Sequence, residues 1–197
     1  MKKIVVFTGS GISAESGLGT FRDSDGLWEQ YKIEDVATPS AFHRDPSMVL
    51  DFYNIRRKQL LAAEPNPAHF SLNKLNSKFQ LSIITQNIDD LHERSGSEKV
   101  LHLHGKLMEA RSTIDNTIYQ LKSSLNIGDT CVKGGQLRPN VVWFGEDVPN
   151  MILAISQVKS ANIFLIIGTS LNVYPAASLL NYSVNAERII IIDPNAE

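Results

Sequence analysis

The stretch KIVVFTGSGISAESG, residues 3–17, decides the fold, because a short β-branched run passes directly into a glycine-rich turn. Gly9, Gly11 and Ala14 match the pattern G-x-G-x-x-A, in which small residues let the backbone approach a pyrophosphate at the start of a helix. Glycines after a first strand also serve tight turns, so the pattern alone does not establish a nucleotide site. It predicts a strand, a candidate nucleotide-binding loop and a helix, in that order.

A dehydrogenase with this loop places an acidic residue about twenty residues further on, at the end of a second strand. Glu34 and Asp35 lie near that distance, but no strand-like run precedes them. A conventional hydride-transfer enzyme is therefore disfavoured, and the loop predicts that a nucleotide is bound in another way.

Short apolar runs recur along the chain and predict a parallel sheet. The predicted strands are 3–7, 81–85, 100–104, 163–168 and 188–193. The nearly continuous apolar runs among them are typical of strands buried on both faces. Helical patterns alternate with these runs, at 12–16, 46–62, 67–77, 89–94, 150–159 and 174–182. The alternation predicts an α/β fold with a Rossmann-like, doubly wound parallel sheet.

Two segments interrupt this alternation. Residues 18–45 lack a convincing strand, and residues 108–139 are polar and rich in turn residues. We expect such insertions to lie outside the main sheet and to form a small accessory lobe, with limits near 18–62 and 108–139. Residues 1–197 as a whole are predicted to form a single domain.

The composition is that of an ordinary folded protein, with 43% hydrophobic and 20% charged residues among 197. A formal charge of −2 gives no electrostatic reason to expect nucleic acid or a membrane surface as a partner. The apolar run near the N-terminus is too short for a signal peptide or a membrane span, so the cytoplasm is the expected location. The oligomeric state is left open.

The single cysteine, Cys131, excludes an internal disulfide and a cysteine-built zinc cage within this chain. It lies in the polar turn GDTCVKGG without a local histidine, which argues against a nucleophile. No metal site is expected.

Polar residues follow three of the predicted strands at their carboxyl ends, where open α/β sheets bind ligands. Gln86, Asn87 and Asp89 follow the second strand, although Asn87 or Asp89 alone could equally cap a helix. The turn 168–170 follows the fourth strand, and Asp193 and Asn195 end the fifth. Convergence of these groups on one sheet edge predicts one shared site.

The stretch LHLHGKL, residues 101–107, contains two histidines at alternate positions of a strand, so they point to opposite faces. His104 precedes Gly105 at the strand end and is the better candidate for a general base. His102 is expected to be structural. A zinc site at this pair is disfavoured because no cysteine partner is available.

The stretch DFYNIRRKQL, residues 51–60, places Tyr53 and Arg56 on the same face of a predicted helix. By itself, this pair is either a solvated helix edge or the floor of a pocket that binds an acidic group. Arg57 and Lys58 are expected to be ordinary surface charges.

Together these stretches resemble the sirtuin family of NAD-dependent protein deacylases. The motifs that carry the resemblance stand in the family's order and span nearly the whole chain: TGSGISAESGLGTFRDSDGLW (8–28), TQNIDDLH (85–92), HLHGKL (102–107), RPNVVWFGE (138–146) and GTSLNVYPAA (168–177). The subgroup that the chain resembles most is the bacterial class III deacylases, in which a Tyr-x-x-Arg pair selects succinyl or malonyl groups.

The resemblance implies a sirtuin-type catalytic domain that uses NAD. It implies the following cofactor-binding residues: Gly9, Ser10, Gly11, Ile12, Ser13, Ala14, Glu15, Gly17, Phe21, Arg22, Trp28, Gln86, Asn87, Ile88, Asp89, Gly168, Thr169, Ser170, Asp193, Pro194 and Asn195. It also implies that His104 and Asn87 are catalytic. The acyl amide oxygen would attack the ribose carbon that loses nicotinamide, and His104 would help deprotonate a ribose hydroxyl. The products would be deacylated lysine, nicotinamide and O-acyl-ADP-ribose.

The resemblance also implies the substrate contacts. Tyr53 and Arg56 would bind the carboxylate of a succinyl or malonyl group, because the arginine fork can donate two hydrogen bonds and the phenol a third. Acetyl-lysine would be a weaker substrate, since it would leave these buried donors unpaired. Val142, Trp143, Phe144 and Gly145 resemble the strand that pairs with the extended acyl-lysine peptide of a protein substrate.

Three features depart from the family pattern. Ser10 replaces an alanine beside the expected NAD site, and Cys131 stands alone where many relatives carry four zinc-binding cysteines. Family members generally continue beyond the predicted last strand, which suggests that 189–192 is less protected here. The alternatives to an acidic-acyl deacylase are therefore an NAD hydrolase or ADP-ribosyltransferase, and a catalytically impaired NAD-binding module.

Overall fold

The computed structural model describes residues 1–19 and 31–194. Each predicted strand and helix is present with ends that agree to within three residues, although 174–182 forms a 3₁₀ helix. The helices Ile33–Val36 and Pro39–Arg44 and the strands Gly105–Ser112, Ile118–Gln120 and Leu137–Val141 were not predicted. In chain order the elements are β1 (Lys3–Thr8), α1 (Gly11–Ala14), α2 (Ile33–Val36), α3 (Pro39–Arg44), α4 (Pro46–Ala62), α5 (Pro67–Lys74), β2 (Gln80–Thr85), α6 (Leu91–Arg94), β3 (Val100–His102), β4 (Gly105–Ser112), β5 (Ile118–Gln120), β6 (Leu137–Val141), α7 (Met151–Lys159), β7 (Ile163–Ile167) and β8 (Arg188–Ile192). Short 3₁₀ helices cover Leu75–Ser77 and Ala176–Tyr182.

Residue contacts divide the chain into two compact units. The first unit takes its described residues from Met1–Thr20, Glu64–His104 and Val148–Glu197, and the second from Phe21–Ala63 and Gly105–Asp147. That all 197 residues form one catalytic domain with insertions near 18–62 and 108–139 stays a prediction.

The first unit is built on a five-stranded parallel sheet in the order β3-β2-β1-β7-β8. The chain adds strands on one side of β1, through β2 and β3, and then returns to add β7 and β8 on the other side. The order therefore reverses between β1 and β7, which is the place where open α/β sheets bind ligands. The predicted α/β fold with a parallel sheet is confirmed, and the sheet itself predicts where its site lies.

Both faces of this sheet are covered, because apolar residues alternate between two buried clusters. Val5 and Phe7 of β1 pack with Val158 of α7 on one face, and all three are fully buried. Ile4 and Val6 pack on the other face in the cluster that contains Leu72 of α5. A continuous apolar run such as IVVF thus fits a strand that lies between two helical layers.

The last strand differs from this expectation. All five residues of β8 are exposed, and Ile189, Ile190, Ile191 and Ile192 keep 46%, 40%, 48% and 53% of their surface in contact with solvent. The strand lies at the sheet edge and pairs only with β7 among the described strands. Burial on both faces, as predicted from its apolar run, is wrong for this strand because hydrophobic content does not reveal whether a strand is central or at an edge. The exposure agrees with the other expectation, that 189–192 is less protected than the remaining strands.

The second unit contains the antiparallel sheet β5-β4-β6 and the helices α2, α3 and α4. Its apolar cluster joins Leu50 of α4 to Ala110 of β4, Leu125 and Leu137. Cys131 belongs to this cluster and is 5% exposed, and its thiol accepts a hydrogen bond from Ser112 at 3.3 Å. The single cysteine therefore lies in the packed interior of this unit.

Side-chain amides hold the loop between β5 and β6. The Gln136 Oε1 accepts the backbone N–H of Gly128 at 2.9 Å, and its Nε2 lies 3.0 to 3.1 Å from the carbonyl oxygens of Asn126, Asp129 and Leu137. The Asn54 side chain on α4 bonds both the N–H and the C=O of Leu125, each at 2.9 Å. Within the described part of the chain, no cluster of three or more His, Cys, Asp or Glu could hold a metal ion. Hydrogen bonds and packing therefore organise this loop.

Two buried histidines lie under the carboxyl ends of the first unit's strands. His69 and His92 are 0% and 1% exposed, and their ring centroids are 5.0 Å apart. His92 Nε2 lies 3.0 Å from the Thr8 hydroxyl, which donates to the Thr85 hydroxyl at 2.8 Å. The Thr85 hydroxyl in turn accepts the backbone N–H of Asn87 at 3.0 Å. This polar chain fixes the start of the loop that follows β2.

Both imidazoles are neutral in the folded protein. Burial lowers the pKa of His69 to about 4, and burial together with the neighbouring His69 lowers that of His92 to about 3. His69 Nε2 and His92 Nδ1 have no hydrogen-bond partner among residues 1–19 and 31–194. A second proton on either ring would thus create a buried positive charge without a compensating hydrogen bond at that nitrogen.

Among the described residues, no helix is long and apolar enough to cross a membrane.

Replacing Gln136 by alanine should loosen the loop between β5 and β6, because four backbone groups lose their side-chain partner. We expect the free energy of unfolding to fall by about 1–3 kcal/mol, measured by urea titration, with faster hydrogen exchange at the N–H of Gly128. The control is Gln120→Ala, since the side chain of the exposed Gln120 bonds only Glu109 within residues 1–19 and 31–194. Equal losses in both variants would contradict the role given to Gln136.

Stability should decrease in mild acid because of His69 and His92. In the unfolded chain both rings take up a proton near pH 6.5. In the folded protein His69 is protonated only near pH 4 and His92 only near pH 3, because their pKa values are lowered to about 4 and about 3. The unfolded state therefore binds more protons as the pH falls, so the free energy of unfolding is greatest above pH 6.5 and declines below it. Each unit of pKa difference is worth about 1.4 kcal/mol.

Urea titrations between about pH 7.5 and pH 4.5 test this decline. His69→Gln should flatten the decline, whereas His43→Gln on the exposed surface of α3 should keep the wild-type profile. An equally steep decline in the His69→Gln variant would show that other groups cause it.

Candidate active site

Three glycines pack against one another where β1 and β7 end. The N–H of Gly9 donates to Ile167 O at 3.0 Å, and the N–H of Gly11 donates to Gly168 O at 2.9 Å. A Cβ on Gly9 would lie 2.6 Å from Gly168 O, and a Cβ on Gly11 would lie 2.8 Å from the Gly168 Cα. Gly168 has a φ of 60°, in the left-handed region. The two loops can approach this closely only because none of the three carries a side chain.

Asn66 holds the glycine loop from the neighbouring helix. Its Nδ2 donates to Ile12 O at 2.7 Å and to the Ser16 hydroxyl at 3.1 Å, while its Oδ1 caps α5 by accepting the N–H of Ala68. Asn66 lies outside every sequence motif that predicted a site residue. The dipeptide Asn66–Pro67 is a recognisable helix start, but it does not reveal that the amide also reaches the loop 54 residues away.

A pocket of about 610 Å³ opens beside the glycine loop, within the size range of small-molecule sites. Six of the predicted cofactor residues line it: Gly11, Ile12, Glu15, Gly168, Asp193 and Pro194. Asn66 and the exposed Ile191 and Ile192 also line it, whereas Thr169 and Ser170 do not. A dinucleotide fits this part of the molecule, because a pocket of this size lies beside the glycine loop at the carboxyl ends of β1 and β7 and continues to Asp193 and Pro194 after β8.

A buried cluster of polar side chains links the glycine loop to the loop after β2. The Ser13 hydroxyl donates to Asp89 Oδ2 at 3.0 Å and accepts a hydrogen bond from Asn87 Nδ2 at 3.1 Å. All three residues are at most 7% exposed. Burial raises the pKa of Asp89, although the hydrogen bonds from the Leu91 N–H and the Ser13 hydroxyl act to lower it. The predicted Ser13, Asn87 and Asp89 are thus in contact, with their side chains in fixed orientations.

His104 follows β3, at the edge of the sheet where the other polar groups lie. Its Nδ1 lies 2.9 Å from Gln86 O, so this nitrogen carries the hydrogen and Nε2 keeps its lone pair. Burial lowers the pKa of His104, and the bond to the Gln86 carbonyl opposes this effect. A neutral imidazole with a free Nε2 lone pair has the form that a general base requires. The Gln86 side chain itself donates to the Thr169 hydroxyl at 2.8 Å.

His102 makes contacts that support the expected structural role. Its Nδ1 lies 3.0 Å from Asn87 O and its Nε2 lies 2.8 Å from Glu93 Oε1. The carbonyl oxygen of His102 accepts a hydrogen bond from Asn150 at 2.7 Å. Both ring nitrogens of His102 are therefore engaged in hydrogen bonds, and one of these bonds holds the backbone of Asn87 in place.

In the second unit, Tyr53 and Arg56 lie on α4, as predicted. Tyr53 is 2% exposed, and its hydroxyl accepts a hydrogen bond from the Trp143 indole N–H at 2.8 Å. Burial raises the pKa of Tyr53 to about 12, although the positive charge of Arg56 opposes the rise. Arg56 is half-buried, and its guanidinium lies 5.9 Å from the centre of the Phe52 ring. Of the two descriptions left open by the sequence, a solvated helix edge does not fit Tyr53.

Arg57 corrects one expectation on the same helix. It is 2% exposed, its Nε donates to Leu107 O at 3.2 Å, and burial lowers its pKa to about 10. Lys58 is exposed, as expected. The spacing on a helix brings residues at both i+3 and i+4 onto the face of Tyr53, so the sequence does not tell which arginine is buried deeper.

The segment 142–145 also differs in part from its expected strand. β6 ends at Val141, and Phe144 and Gly145 form a turn closed by the N–H of Glu146 on Trp143 O at 3.0 Å. The N–H of Phe144 donates to Ala37 O at 3.0 Å. Its side chain is 45% exposed, while that of Trp143 is buried. Whether Val142, Trp143, Phe144 and Gly145 contact a peptide stays a prediction.

The remaining predicted cofactor residues fall into two groups. Ser10 precedes α1 and makes no capping hydrogen bond with its side chain, and Gly17 has a φ of 83°. Ala14 is exposed in α1, and Ile88 is half-buried in the loop after β2. Phe21, Arg22, Trp28 and Asn195 lie outside the described residues.

Comparison with known proteins gives this site its family. The model of the Sir2 family matches residues 9–175. An NAD-dependent protein deacylase of Helicobacter pylori (strain ATCC 700392 / 26695) is 53% identical over 198 residues, which cover 100% of this chain and 86% of that protein. An NAD-dependent protein deacylase of Bacteroides thetaiotaomicron is 51% identical over 201 residues, which cover 98% of this chain and 86% of that protein.

A solved structure supports the same assignment at the level of the backbone. The crystal structure of a Sir2 homolog–NAD complex superposes with a TM-score of 0.91 at 44% identity, covering 98% of this chain and 78% of that one. With a matching family model, relatives at about half identity over nearly the full chain and a shared fold, this chain belongs to the Sir2 family.

Proposed function

We propose that this chain, an NAD-dependent protein deacylase, preferentially removes acidic acyl groups such as succinyl and malonyl from lysine side chains. The observation that carries the proposal is the pair on α4: a buried Tyr53 hydroxyl with a half-buried guanidinium, that of Arg56, one helical turn away. Acetyl-lysine would be a poorer substrate. The products would be nicotinamide, O-acyl-ADP-ribose and the free lysine.

A buried hydroxyl and a guanidinium on one helix face suit a carboxylate. The Tyr53 oxygen already accepts the Trp143 N–H, so its own hydrogen is the group that it can offer a ligand. A guanidinium donates a charge-assisted, bidentate pair of hydrogen bonds to a carboxylate. An acyl group without a carboxylate would offer the buried Tyr53 hydroxyl no acceptor for its hydrogen, which lowers the affinity of that group.

The first unit supplies the groups that would hold NAD. Gly9, Gly11 and Gly168 would let the pyrophosphate approach the backbone, and Asp193 would line the pocket near β8. When bound, NAD supplies an electrophilic ribose carbon and nicotinamide as the leaving group. Asn87, held through Ser13 to Asp89, would orient polar groups at this end of the site.

His104 would act as the proton acceptor. The Gln86 carbonyl fixes the Nδ1–H tautomer, so a ribose hydroxyl can give its proton only to Nε2. The lowered pKa keeps Nε2 unprotonated at neutral pH. A cytoplasmic location stays a prediction, as does the use of acyl-lysine proteins as substrates.

The first experiment measures NAD-dependent turnover of matched succinyl-lysine and acetyl-lysine peptides by mass spectrometry. Faster removal of succinyl, with O-succinyl-ADP-ribose as product, is the expected result. Nicotinamide release without deacylation would favour the NAD hydrolase, and NAD binding without any turnover would favour the impaired binding module.

His104→Tyr should retain the fold and lose deacylation of both peptides, because the variant lacks the imidazole nitrogen that accepts the proton. A loss of at least about 100-fold in kcat is expected for a general base. His43→Tyr, on the exposed surface of α3, serves as the matched control and should keep wild-type turnover. Undiminished kcat in the His104 variant would reject the assignment.

Arg56→Met should impair succinyl turnover far more than acetyl turnover, since only the succinyl group has a carboxylate to lose its partner. We expect kcat/KM for the succinyl peptide to fall by about 10- to 100-fold, mainly through KM. The control is Lys58→Met, an exposed residue two positions further along α4. Equal losses of kcat/KM on both peptides would contradict the proposal that Arg56 recognises the carboxylate.

A further inference from the structure

The Trp143 indole holds the Tyr53 hydroxyl in one orientation. The hydrogen bond between them is 2.8 Å long, and the two ring centroids are 6.3 Å apart. Because the indole N–H can only donate, it occupies a lone pair of the phenol oxygen. The hydroxyl hydrogen is then directed elsewhere. Burial keeps the phenol neutral, with its pKa raised to about 12, so Tyr53 retains this hydrogen as a donor.

Arg138 packs flat against Trp143. Its guanidinium carbon lies 3.3 Å from the centre of the indole ring. Arg138 is 8% exposed, and its Nη2 donates to Val141 O at 2.9 Å, at the end of β6. A guanidinium on an aromatic face is held by cation–π attraction as well as by packing. The plane of the indole is therefore set by the position of Arg138.

Glu146 holds Arg138 in turn. Its Oε1 accepts from Arg138 Nη1 at 2.6 Å and its Oε2 from Arg138 Nη2 at 3.0 Å. Arg111 donates to Oε1 at 2.7 Å, and the backbone N–H of Trp143 donates to Oε2 at 2.8 Å. Burial opposes the ionisation of Glu146, yet the hydrogen bonds from Arg138 and Trp143 lower its pKa. The Glu146 carboxylate thus holds both the Arg138 guanidinium and the backbone of Trp143, on whose indole that guanidinium packs.

We propose that Glu146 and Arg138 are positioning residues for acyl selectivity. Through the stacked Trp143 they hold the Tyr53 hydroxyl as a hydrogen-bond donor toward the carboxylate of an acidic acyl group. This inference rests on the proposed function, in which Tyr53 and Arg56 bind that carboxylate. Neither Glu146 nor Arg138 touches the acyl group; they act on it through Trp143 and Tyr53.

The network has a consequence that a purely structural ion pair would lack. Loosening Arg138 frees the indole, so the Tyr53 hydroxyl can turn away from the acyl group. Only an acyl group that accepts this hydrogen bond is affected. Selectivity between succinyl and acetyl should therefore change, and it should change through KM because binding of the carboxylate is what is lost.

The test compares Glu146→Gln with Glu109→Gln on the succinyl-lysine and acetyl-lysine peptides. Glu109 is a half-buried carboxylate of β4 in the same unit, bonded to Asn140 and Gln120 but not to the network. In Glu146→Gln, KM for the succinyl peptide should rise by about tenfold relative to that for the acetyl peptide. Glu109→Gln should leave the ratio of the two KM values at the wild-type level.

A double-mutant cycle with Trp143→Phe tests the route of the effect. Phenylalanine keeps a ring for Arg138 to stack on but removes the N–H that bonds Tyr53. If Glu146 acts through this N–H, adding Glu146→Gln to Trp143→Phe should change the succinyl/acetyl ratio no further. A full additional loss in the double variant would overturn the proposal.

Folding is monitored for every variant by circular dichroism and thermal unfolding. Should Glu146→Gln fold poorly, Arg138→Lys replaces it, because lysine keeps a positive charge near Glu146 but removes the planar group over the indole. The same rise in the ratio of the succinyl KM to the acetyl KM is expected, and an unchanged ratio counts against the proposal.

The outcomes separate this inference from the proposed function. A wild-type protein that prefers succinyl and loses the preference in Arg56→Met, but keeps it in Glu146→Gln and Arg138→Lys, would overturn the positioning role alone. A wild-type protein without any preference for succinyl would overturn both.

Discussion

The contact of Gly9 and Gly11 with Gly168 is the constraint on which the first unit's site depends. It lies where the strand order reverses between β1 and β7, so the two loops that follow these strands are neighbours. A single methyl group at any of the three positions would overlap the other loop. The N–H groups of Gly9 and Gly11 donate to the carbonyls of Ile167 and Gly168, so backbone hydrogen bonds as well as the absence of side chains hold the two loops together.

The polar groups near this contact are held by one another. Ser13 joins Asn87 to Asp89, and the Thr8 and Thr85 hydroxyls join His92 to the backbone of Asn87. Such a network costs stability where a buried nitrogen has no hydrogen-bond partner among the described residues, as in His69 and His92. In return, the Asn87 side chain and the His104 tautomer have a single arrangement before any ligand binds, which is the form of preorganisation that catalysis needs.

The second unit solves a different physical problem, since it must hold a long loop between β5 and β6 and a group of partly buried charges. Side-chain amides of Gln136 and Asn54 satisfy the backbone of the loop between β5 and β6. The charges of Arg138 and Arg111 meet on Glu146. The same carboxylate supports Trp143, so this unit's stability and the orientation of Tyr53 have a common source.

The sequence by itself determined the sheet, the loops after its strands and the family, because apolar periodicity and glycine motifs are local signals. It placed Tyr53 and Arg56 on one helix face for the same reason. Only the tertiary structure decided that Arg57 is buried and that Asn66 and Glu146 reach residues far along the chain or across a turn. Those outcomes depend on which elements pack together, and residue spacing carries no record of a partner that is distant in sequence.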